Sequence, residues 1–283
     1  MRLLRYITES QEASHGLLLD NCVYPLPGMT TTEAMSSLSQ NSDTWNWIVD
    51  QEPRALGELS LLPPVENPGA FLDFYTFEEH VKTCRQKRGL GMVPEWYEYP
   101  VWYNGSPRCF SGDQSQVEFP VMETKKDFEL ELAIVIKKHC HRIKEKEAAH
   151  FIGAYTIVND FSARSLQEKI MPVGLGPAKA KDFNTGLGPW LVTPDEIPDS
   201  RNLKMRAWVN DELWSDGNSG SSQFSFEQMI AFASEHQTLY PGDVLASGTV
   251  GGGCGLELGR FLKSGDQVTL EIESIGKLTH WVA

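Results

Sequence analysis

Two glutamates at alternate positions of a predicted strand are the residues of this chain best suited to chemistry. Glu129 and Glu131 lie in the segment 126–136. Side chains of a strand alternate between its two faces, so both carboxylates project from one face, with Cα atoms roughly 6.5–7 Å apart. The apolar run 132–136 then takes the strand into a core, where carboxylates are costly unless a cation neutralises them. The pattern indicates a metal site, and a solvated edge strand is the alternative interpretation.

A third carboxylate, Asp160, follows the predicted strand 154–158. It lies where that strand reaches the surface of a sheet, which is a usual position for functional groups. By itself Asp160 could cap the next turn. Together with Glu129 and Glu131 it would supply the oxygen ligands that a hard divalent cation prefers, and a 1,3-dicarbonyl compound offers such a cation two further oxygens.

Composition excludes several classes of function. The formal net charge of -13 at pH 7 argues against general nucleic-acid binding, because a phosphate backbone would be repelled over most of the surface. No apolar stretch reaches the roughly 18–20 residues of a membrane helix, and residues 1–9 lack the long apolar region of a signal peptide. We therefore expect a cytoplasmic protein with neither a nucleic-acid nor a membrane partner.

The cysteines are five in number and show no CxxC spacing. An odd number without paired spacing indicates neither a disulfide framework nor a zinc knuckle. We therefore interpret them as ordinary reduced thiols; they are Cys22, Cys84, Cys109, Cys140 and Cys254.

The elements that must position these residues belong to two predicted domains. Residues 1–65 are weakly periodic and end in a proline-rich stretch, which predicts a small N-terminal domain followed by a catalytic domain over 66–283. The second domain alternates like a strand-rich α+β fold rather than a regular βαβ array. Helices are predicted over 76–88, 143–151 and 225–236, and strands over 154–158, 244–247, 267–275 and 277–282. The aromatic, proline-flanked run 94–100 would suit a mobile lid or an exposed interface.

The sequence resembles the fumarylacetoacetate hydrolase family in motifs that follow the family's order across roughly residues 70–283. These motifs are Glu129-x-Glu131 and the segments 159–167, 181–185, 187–192, 241–243 and 247–249. The resemblance implies a mixed β-roll or sandwich catalytic domain with a small N-terminal domain. It also implies a site for Mg²⁺, or for Ca²⁺ or Mn²⁺, whose residues are Asp73, Glu129, Glu131, Asp160, Lys181 and Thr185.

A second group of motifs, over 73–80, 99–105 and 256–258, is similar to the fumarylacetoacetase branch of the family. By residue type alone, His80 on a predicted helix would be an ordinary surface residue. The resemblance implies instead that His80 is the general base, that Glu257 orients it, and that Lys181 stabilises an enolate. It implies substrate-binding roles for Tyr75, Arg88, Tyr103, Arg164, Gln167 and Thr249. Residues 170–171 stand where that branch has a tyrosine, which leaves the substrate open.

The function implied by the resemblance is hydrolysis of a carbon–carbon bond in a β-diketone acid of the fumarylacetoacetate, fumarylpyruvate or acylpyruvate type. It would proceed through a metal-bound enolate and a water activated by His80. The alternatives on the same metal site are decarboxylation of oxaloacetate, isomerisation and dehydration of a keto acid, none of which needs the His80–Glu257 pair. A non-catalytic binding protein is a further alternative. Family members are commonly homodimers, so we expect a homodimer.

Overall fold

Strands dominate this chain, which the computed structural model describes over residues 1–38 and 42–283. In chain order the strands are β1 (Arg2–Ile7), β2 (Ala13–Leu19), β3 (Cys22–Pro25), β4 (Arg54–Ala55), β5 (Ser60–Leu62), β6 (Phe71–Phe74), β7 (Trp102–Gly105), β8 (Phe110–Ser111), β9 (Ser115–Val117), β10 (Lys126–Asp127), β11 (Leu130–Ile136), β12 (Ile152–Asp160), β13 (Ser162–Ala163), β14 (Thr185–Val192), β15 (Lys204–Val209), β16 (Glu212–Asn218), β17 (Val244–Ala246), β18 (Gln267–Ile272) and β19 (Gly276–Val282).

The helices are short. They are α1 (Thr31–Ser37), α2 (Asp43–Val49), α3 (Glu78–Lys87), α4 (Glu145–Ala148), α5 (Arg164–Ile170), α6 (Ala178–Lys181), α7 (Phe226–Ser234) and α8 (Gly255–Leu258). The strand-rich α+β class predicted from the sequence is confirmed. No helix in the described part of the chain is long and apolar enough to cross a membrane.

A mixed sheet of twelve strands forms the centre of the fold. Its order is β4-β3-β2-β1-β14-β12-β11-β17-β6-β7, with β5 paired to β1 and β8 paired to β14. A five-stranded sheet, β16-β15-β18-β19-β9, packs beside it, and β10 pairs with β13. Every residue of β11 and β12 is buried, so the central strands read as continuous apolar runs because both faces of the sheet are covered.

Alternate residues of β11 enter two different cores. Leu132 and Ile134 pack with the five-stranded sheet and α7. Ala133 and Val135 pack on the opposite face with α1, α2 and side chains of β1 and β2. The period of two along this strand thus separates two hydrophobic layers.

The N-terminal segment belongs to the same large sheet. β1 pairs antiparallel with β14 through Arg2 opposite Val192 and Leu3 opposite Leu191. Leu3 also shares one core cluster with Val135 of the central strand. The sheet is therefore continuous across the linker, and the division at residue 65 stays a prediction.

Most predicted elements appear close to their expected bounds, but the aromatic loop differs from expectation. The capping box that opens α7 is present, since the Ser225 hydroxyl accepts from the Gln228 backbone and the Gln228 side chain accepts from Ser225. In the aromatic loop, Trp96 is buried and donates its indole N–H to the carbonyl of Tyr75 at 2.7 Å. The expectation that Trp96 is exposed is wrong, because its indole finds both a core and an acceptor.

Candidate active site

Three carboxylates converge at one edge of the large sheet. Asp73 lies on β6, Glu131 on β11 and Asp160 at the end of β12, and each has a ligand oxygen within 4.8 Å of the others. All three side chains are buried. The alternation of β11 turns Glu131 towards the site while its apolar neighbours enter the cores. The residues nearest in space thus come from strands that are far apart in the chain.

The described side chains around these carboxylates carry too little positive charge to neutralise them. Burial, followed by the charges of Asp160 and Glu129, raises the pKa of Glu131 to about 8. Burial and the charge of Glu131 likewise raise the pKa of Asp73 well above its usual value. One oxygen of Asp73 and one of Asp160, both Oδ1, have no hydrogen-bond partner. Orphaned, repelling oxygens of this kind fit a hard divalent cation, for which carboxylates are the preferred ligands.

Glu129 is neutralised by neighbouring side chains. Its Oε2 accepts from the Lys181 ammonium at 2.5 Å and its Oε1 accepts from the Arg164 guanidinium at 2.7 Å. Burial opposes ionisation, but these two cations outweigh it and hold the pKa of Glu129 far below its usual range. Lys181 also donates to Asp160. Glu129 is outside the converging trio, and the predicted roles of Glu129 and Lys181 as metal ligands stay predictions.

His80 and Glu257 form a buried pair beside the carboxylates. Nδ1 of His80 lies 2.7 Å from Oε1 of Glu257, and the second oxygen of Glu257 accepts from the Gly252 backbone at 3.0 Å. Nε2 of His80 lies 3.9 Å from Oε1 of Glu129. The two ring nitrogens therefore point to two different carboxylates, and Glu257 fixes the orientation of the ring.

The protonation of His80 is set by this pair. Burial alone would lower the pKa of His80, but its contacts with Cys254 and Glu257 raise it well above the usual value. Burial also raises the pKa of the Cys254 thiol, so Cys254 is uncharged near neutral pH. We therefore assign the stabilisation of the imidazolium to the charge of Glu257.

One buried aspartate that the sequence analysis missed organises the site. Asp127 accepts from Arg164 Nε at 2.7 Å and from the backbone N–H groups of Gly255 and Leu256 at 2.7 and 2.9 Å. These bonds connect β10, α5 and the start of α8, and α8 carries Glu257. A signal was available, because Asp127 is two residues before Glu129 and continues the same alternation of carboxylates.

A cavity of 790 Å³ opens above the carboxylates. Most of the predicted site residues line it; these are Asp73, Tyr75, His80, Arg88, Tyr103, Glu129, Glu131, Arg164, Gln167, Lys181 and Thr249. Asp160, Thr185 and Glu257 are not in its lining. Thr185 lies opposite Asp160 in the β12–β14 pairing, and Glu257 lies behind His80.

Comparisons with known proteins identify the family of this chain. A family model described as the C-terminal part of fumarylacetoacetate (FAA) hydrolase matches residues 70–283. The chain belongs to the fumarylacetoacetate hydrolase family. This confirms the resemblance seen in the motifs, and the family is one of enzymes.

One relative with a similar sequence matches part of the chain. A 2,4-didehydro-3-deoxy-L-rhamnonate hydrolase of Sphingomonas sp. is 36% identical over 179 residues, which are 62% of this chain and 62% of that protein. The chain thus matches less than two thirds of that relative's length.

Solved structures of other proteins share the fold over nearly the whole chain. The fumarylacetoacetate hydrolase of Exiguobacterium antarcticum has a TM-score of 0.82 at 23% identity, covering 100% of this chain and 99% of that chain. The maleylpyruvate hydrolase of Sphingobium sp. SYK-6, solved with manganese(II) and pyruvate, has a TM-score of 0.79 at 22% identity with the same coverage. At these identities the likeness shows the fold.

Several residues predicted to bind substrate contact the carboxylates themselves. Arg164 uses separate nitrogens for Asp127, Glu129 and the Gln167 side chain. The hydroxyl of Tyr103 donates to Asp160 and that of Thr249 donates to Glu131, both at 3.2 Å. These are contacts that hold acidic side chains in place.

The other two predicted substrate-binding side chains lie around His80. The ring of Tyr75 packs edge-on against His80 at 5.5 Å, and Arg88 donates to the Cys84 carbonyl at 3.2 Å. All six substrate-binding assignments stay predictions. The cavity also has apolar lining residues that the sequence analysis did not assign to the site. Trp102 is the first residue of β7, and the others lie in loops or short turns without periodicity; they are Leu90, Val101, Met171 and Pro172.

Proposed function

We propose that this protein is a metal-dependent hydrolase that cleaves a carbon–carbon bond of a β-diketone acid of the fumarylacetoacetate, fumarylpyruvate or acylpyruvate type. The observation that carries the proposal is the His80–Glu257 contact of 2.7 Å beside the buried carboxylates. A histidine oriented by a carboxylate is suited to take a proton from water. Decarboxylation of a keto acid would not require this pair.

The metal would be held by Asp73, Glu131 and Asp160. The orphaned oxygens of Asp73 and Asp160 and the raised pKa of Glu131 support a cation with a preference for oxygen ligands. A divalent ion bound there, Mg²⁺ in our proposal and Ca²⁺ or Mn²⁺ as alternatives, would supply Lewis acidity to the oxygens of the dicarbonyl group.

The proton chemistry belongs to His80. In the neutral imidazole, which His80 forms on losing its Nε2 proton, Glu257 accepts the Nδ1–H and the lone pair of Nε2 is free to act as a base. Nε2 takes a proton from water, and the hydroxide that results attacks the carbonyl carbon at which the carbon–carbon bond will break. Glu257 stabilises the imidazolium that forms, and this imidazolium later returns the proton to the departing carbon. When the carbon–carbon bond breaks, the electron pair stays with the departing carbon and its carbonyl, and the Lys181 ammonium stabilises the developing negative charge.

The size and charge of the cavity support a small acidic substrate. Its volume of 790 Å³ suits a small molecule, and Arg88 and Lys87 contribute positive side chains to a mainly apolar lining. The 36% identical relative is named as a hydrolase of a 3-deoxy sugar acid whose name places oxo groups at carbons 2 and 4. That compound is a β-diketone acid, which favours the acylpyruvate type.

The proposal is tested with purified protein and Mg²⁺ against fumarylpyruvate, acetylpyruvate, fumarylacetoacetate and oxaloacetate. We expect hydrolysis of at least one of the first three, loss of turnover in EDTA, and recovery on addition of Mg²⁺. Turnover of oxaloacetate alone would favour a decarboxylase, and turnover that survives EDTA would contradict the metal.

A matched pair of variants distinguishes loss of a carboxylate in the metal site from loss of a carboxylate elsewhere on the protein. Glu131→Ala should lose metal binding and turnover together. Glu145→Ala, on the exposed first turn of α4, should lose neither.

A further inference from the structure

Two cysteines lie beside the imidazole of His80. Cys84 follows His80 by four residues on α3, so one helical turn places both side chains on the same face. Cys254 immediately precedes α8 and lies three residues before Glu257. His80, Cys84 and Cys254 are 4%, 6% and 0% exposed, and the Glu257 side chain is 4% exposed. Two thiols, an imidazole and a carboxylate thus share one buried space.

The distances among these groups are close to those around a tetrahedral ion. The sulfur atoms of Cys84 and Cys254 lie 3.7 and 3.9 Å from His80 Nδ1, and the sulfur of Cys254 lies 3.5 Å from Glu257 Oε1. A tetrahedral ion with sulfur at about 2.3 Å and nitrogen or oxygen at about 2.0–2.2 Å requires separations of roughly 3.5–3.6 Å. The 2.7 Å hydrogen bond between His80 Nδ1 and Glu257 would be replaced by the nitrogen–metal bond.

The three ligand atoms come from two distant segments of the chain. His80-x-x-x-Cys84 comes from one turn of α3, and Cys254 comes from the loop that enters α8. The sequence analysis predicted ordinary thiols because no CxxC was present. The fold brings together two segments that are 174 residues apart, measured from His80 to Cys254.

We propose that Cys84, Cys254 and His80 Nδ1 bind a thiophilic divalent cation of the Zn²⁺ class, and that its binding switches off the base. Thiolate ligands select soft or borderline ions, whereas the carboxylate trio selects hard ones. Cys84 and His80 line the cavity and provide the way in.

Binding exchanges protons without any change of oxidation state. Two S–H bonds are replaced by two sulfur–metal bonds, and both protons pass to solvent. His80 binds through Nδ1 and keeps one proton, on Nε2, where it occupies the lone pair that the base requires; the Nδ1 proton of the imidazolium passes to solvent with the thiol protons. The inhibitory part of this inference rests on the proposed function, whereas the binding part does not.

Cobalt spectroscopy tests the binding directly. Co²⁺ is added to protein already saturated with Mg²⁺, and the sulfur-to-cobalt charge-transfer absorption reports thiolate ligands, which the carboxylate site cannot supply. We expect this absorption in the unaltered protein, saturating at one Co²⁺ per chain and displaced by Zn²⁺.

Serine variants identify the ligands. Loss of even an outer partner typically costs 10–100-fold in metal affinity, so we expect Cys84→Ser and Cys254→Ser each to weaken Zn²⁺ binding by at least about 100-fold. Cys22→Ser, on β3, should bind Zn²⁺ like the unaltered protein. Zn²⁺ should inhibit turnover of the unaltered protein and of Cys22→Ser at concentrations that do not inhibit Cys84→Ser or Cys254→Ser.

The outcomes are decisive. Absence of the charge-transfer absorption in the unaltered protein overturns the site, whatever the variants do, and so does full absorption in both Cys84→Ser and Cys254→Ser. Absorption without any hydrolase activity would leave the metal site standing and remove the proposed function instead.

Discussion

At the scale of single residues, His80 is the group on which the proposed chemistry depends. Glu257 lies 2.7 Å from Nδ1, and Glu129 lies 3.9 Å from Nε2. Glu129 is already paired with Lys181 and Arg164, so it competes weakly for a proton on Nε2. The orienting partner and the reacting nitrogen of His80 are therefore on opposite sides of the ring.

The role of His80 predicts a specific pattern in variants. His80→Ala should keep metal affinity but lose about 10²–10⁴ in turnover, because a positioned base typically supplies that factor. Glu257→Gln should lose less, because the imidazole remains but is poorly oriented. Metal titration and steady-state kinetics measure the two effects separately.

The control for this pair is His141→Ala, which alters an exposed histidine and should change neither quantity. A fall in metal affinity in His80→Ala would make His80 a ligand. Unchanged turnover would favour the decarboxylase or isomerase alternatives, in which no activated water is needed.

Glu131 predicts how metal-free protein responds to pH. Its pKa rises from 4.5 to about 8 on folding, so between these values the folded protein holds a proton that the unfolded chain has released. The free energy of unfolding must then fall as pH rises through this window. The raised pKa values of Asp73, Asp160 and His80 act in the same direction.

The measurement is the melting temperature in EDTA between about pH 5 and about pH 8. We expect a fall across this range that is smaller in Glu131→Gln and largely removed by Mg²⁺, which neutralises the ionised carboxylates. Glu145→Gln should keep the full slope. A melting temperature that climbs steadily through the window would contradict the account of buried, repelling carboxylates.

At the scale of elements, Asp127 joins three segments that carry site residues. It accepts from Arg164 on α5 and from two backbone N–H groups at the start of α8. This one carboxylate accepts from N–H groups at a helix start, where a negative charge is favourable, and it also pairs with a buried guanidinium. The position of Glu257 on α8 follows from this network.

Asp127→Ala should therefore lower the free energy of unfolding by about 3–5 kcal/mol, because it removes one of the two carboxylates paired with the buried Arg164 and the acceptor of two backbone N–H groups. Denaturant unfolding measures the loss. The comparison variant is Asp216→Ala, which breaks the exposed pair of Arg206 and Asp216 and should cost no more than about 1 kcal/mol. Equal costs for the two variants would mean that Asp127 does not organise the site.

At the scale of the whole molecule, one sheet connects the N-terminal strands to the carboxylates. β1 pairs with β14, which pairs with β12, and β12 ends at Asp160. Three apolar side chains outside the large sheet are almost fully exposed; they are Val121, Met122 and Leu175 at 92%, 88% and 90%. Large exposed apolar side chains are candidates for a surface that a partner covers.

We expect a homodimer in solution that uses this surface. Light scattering at micromolar concentration should give about twice the chain mass of 31.7 kDa. The double variant Met122→Glu, Leu175→Glu should shift the mass towards the monomer, because charges at a buried apolar contact are costly. A mass of one chain for the unaltered protein would rule out the dimer, and an unshifted mass in the variant would rule out this surface.

Local pattern was sufficient for much of the fold. Alternation along 129–136 predicted a buried strand with carboxylates on one face, and the Ser225–Gln228 spacing predicted the start of α7. These features follow from backbone geometry, which repeats every two or 3.6 residues and can be seen in neighbouring letters. The motifs likewise identified the family, because they name residue types in a constant order.

The tertiary structure alone decided which of those residues meet. Glu129 immediately precedes β11 and Glu131 lies on it, yet Glu131 joins Asp73 and Asp160 while Glu129 pairs with Lys181 and Arg164. Cys84 and Cys254 meet around His80 although no spacing in the chain connects them. The physical reason is that periodicity determines only the face on which a side chain lies. Its partners across that face depend on the order in which distant strands pair, and this order is set by the packing of the whole sheet.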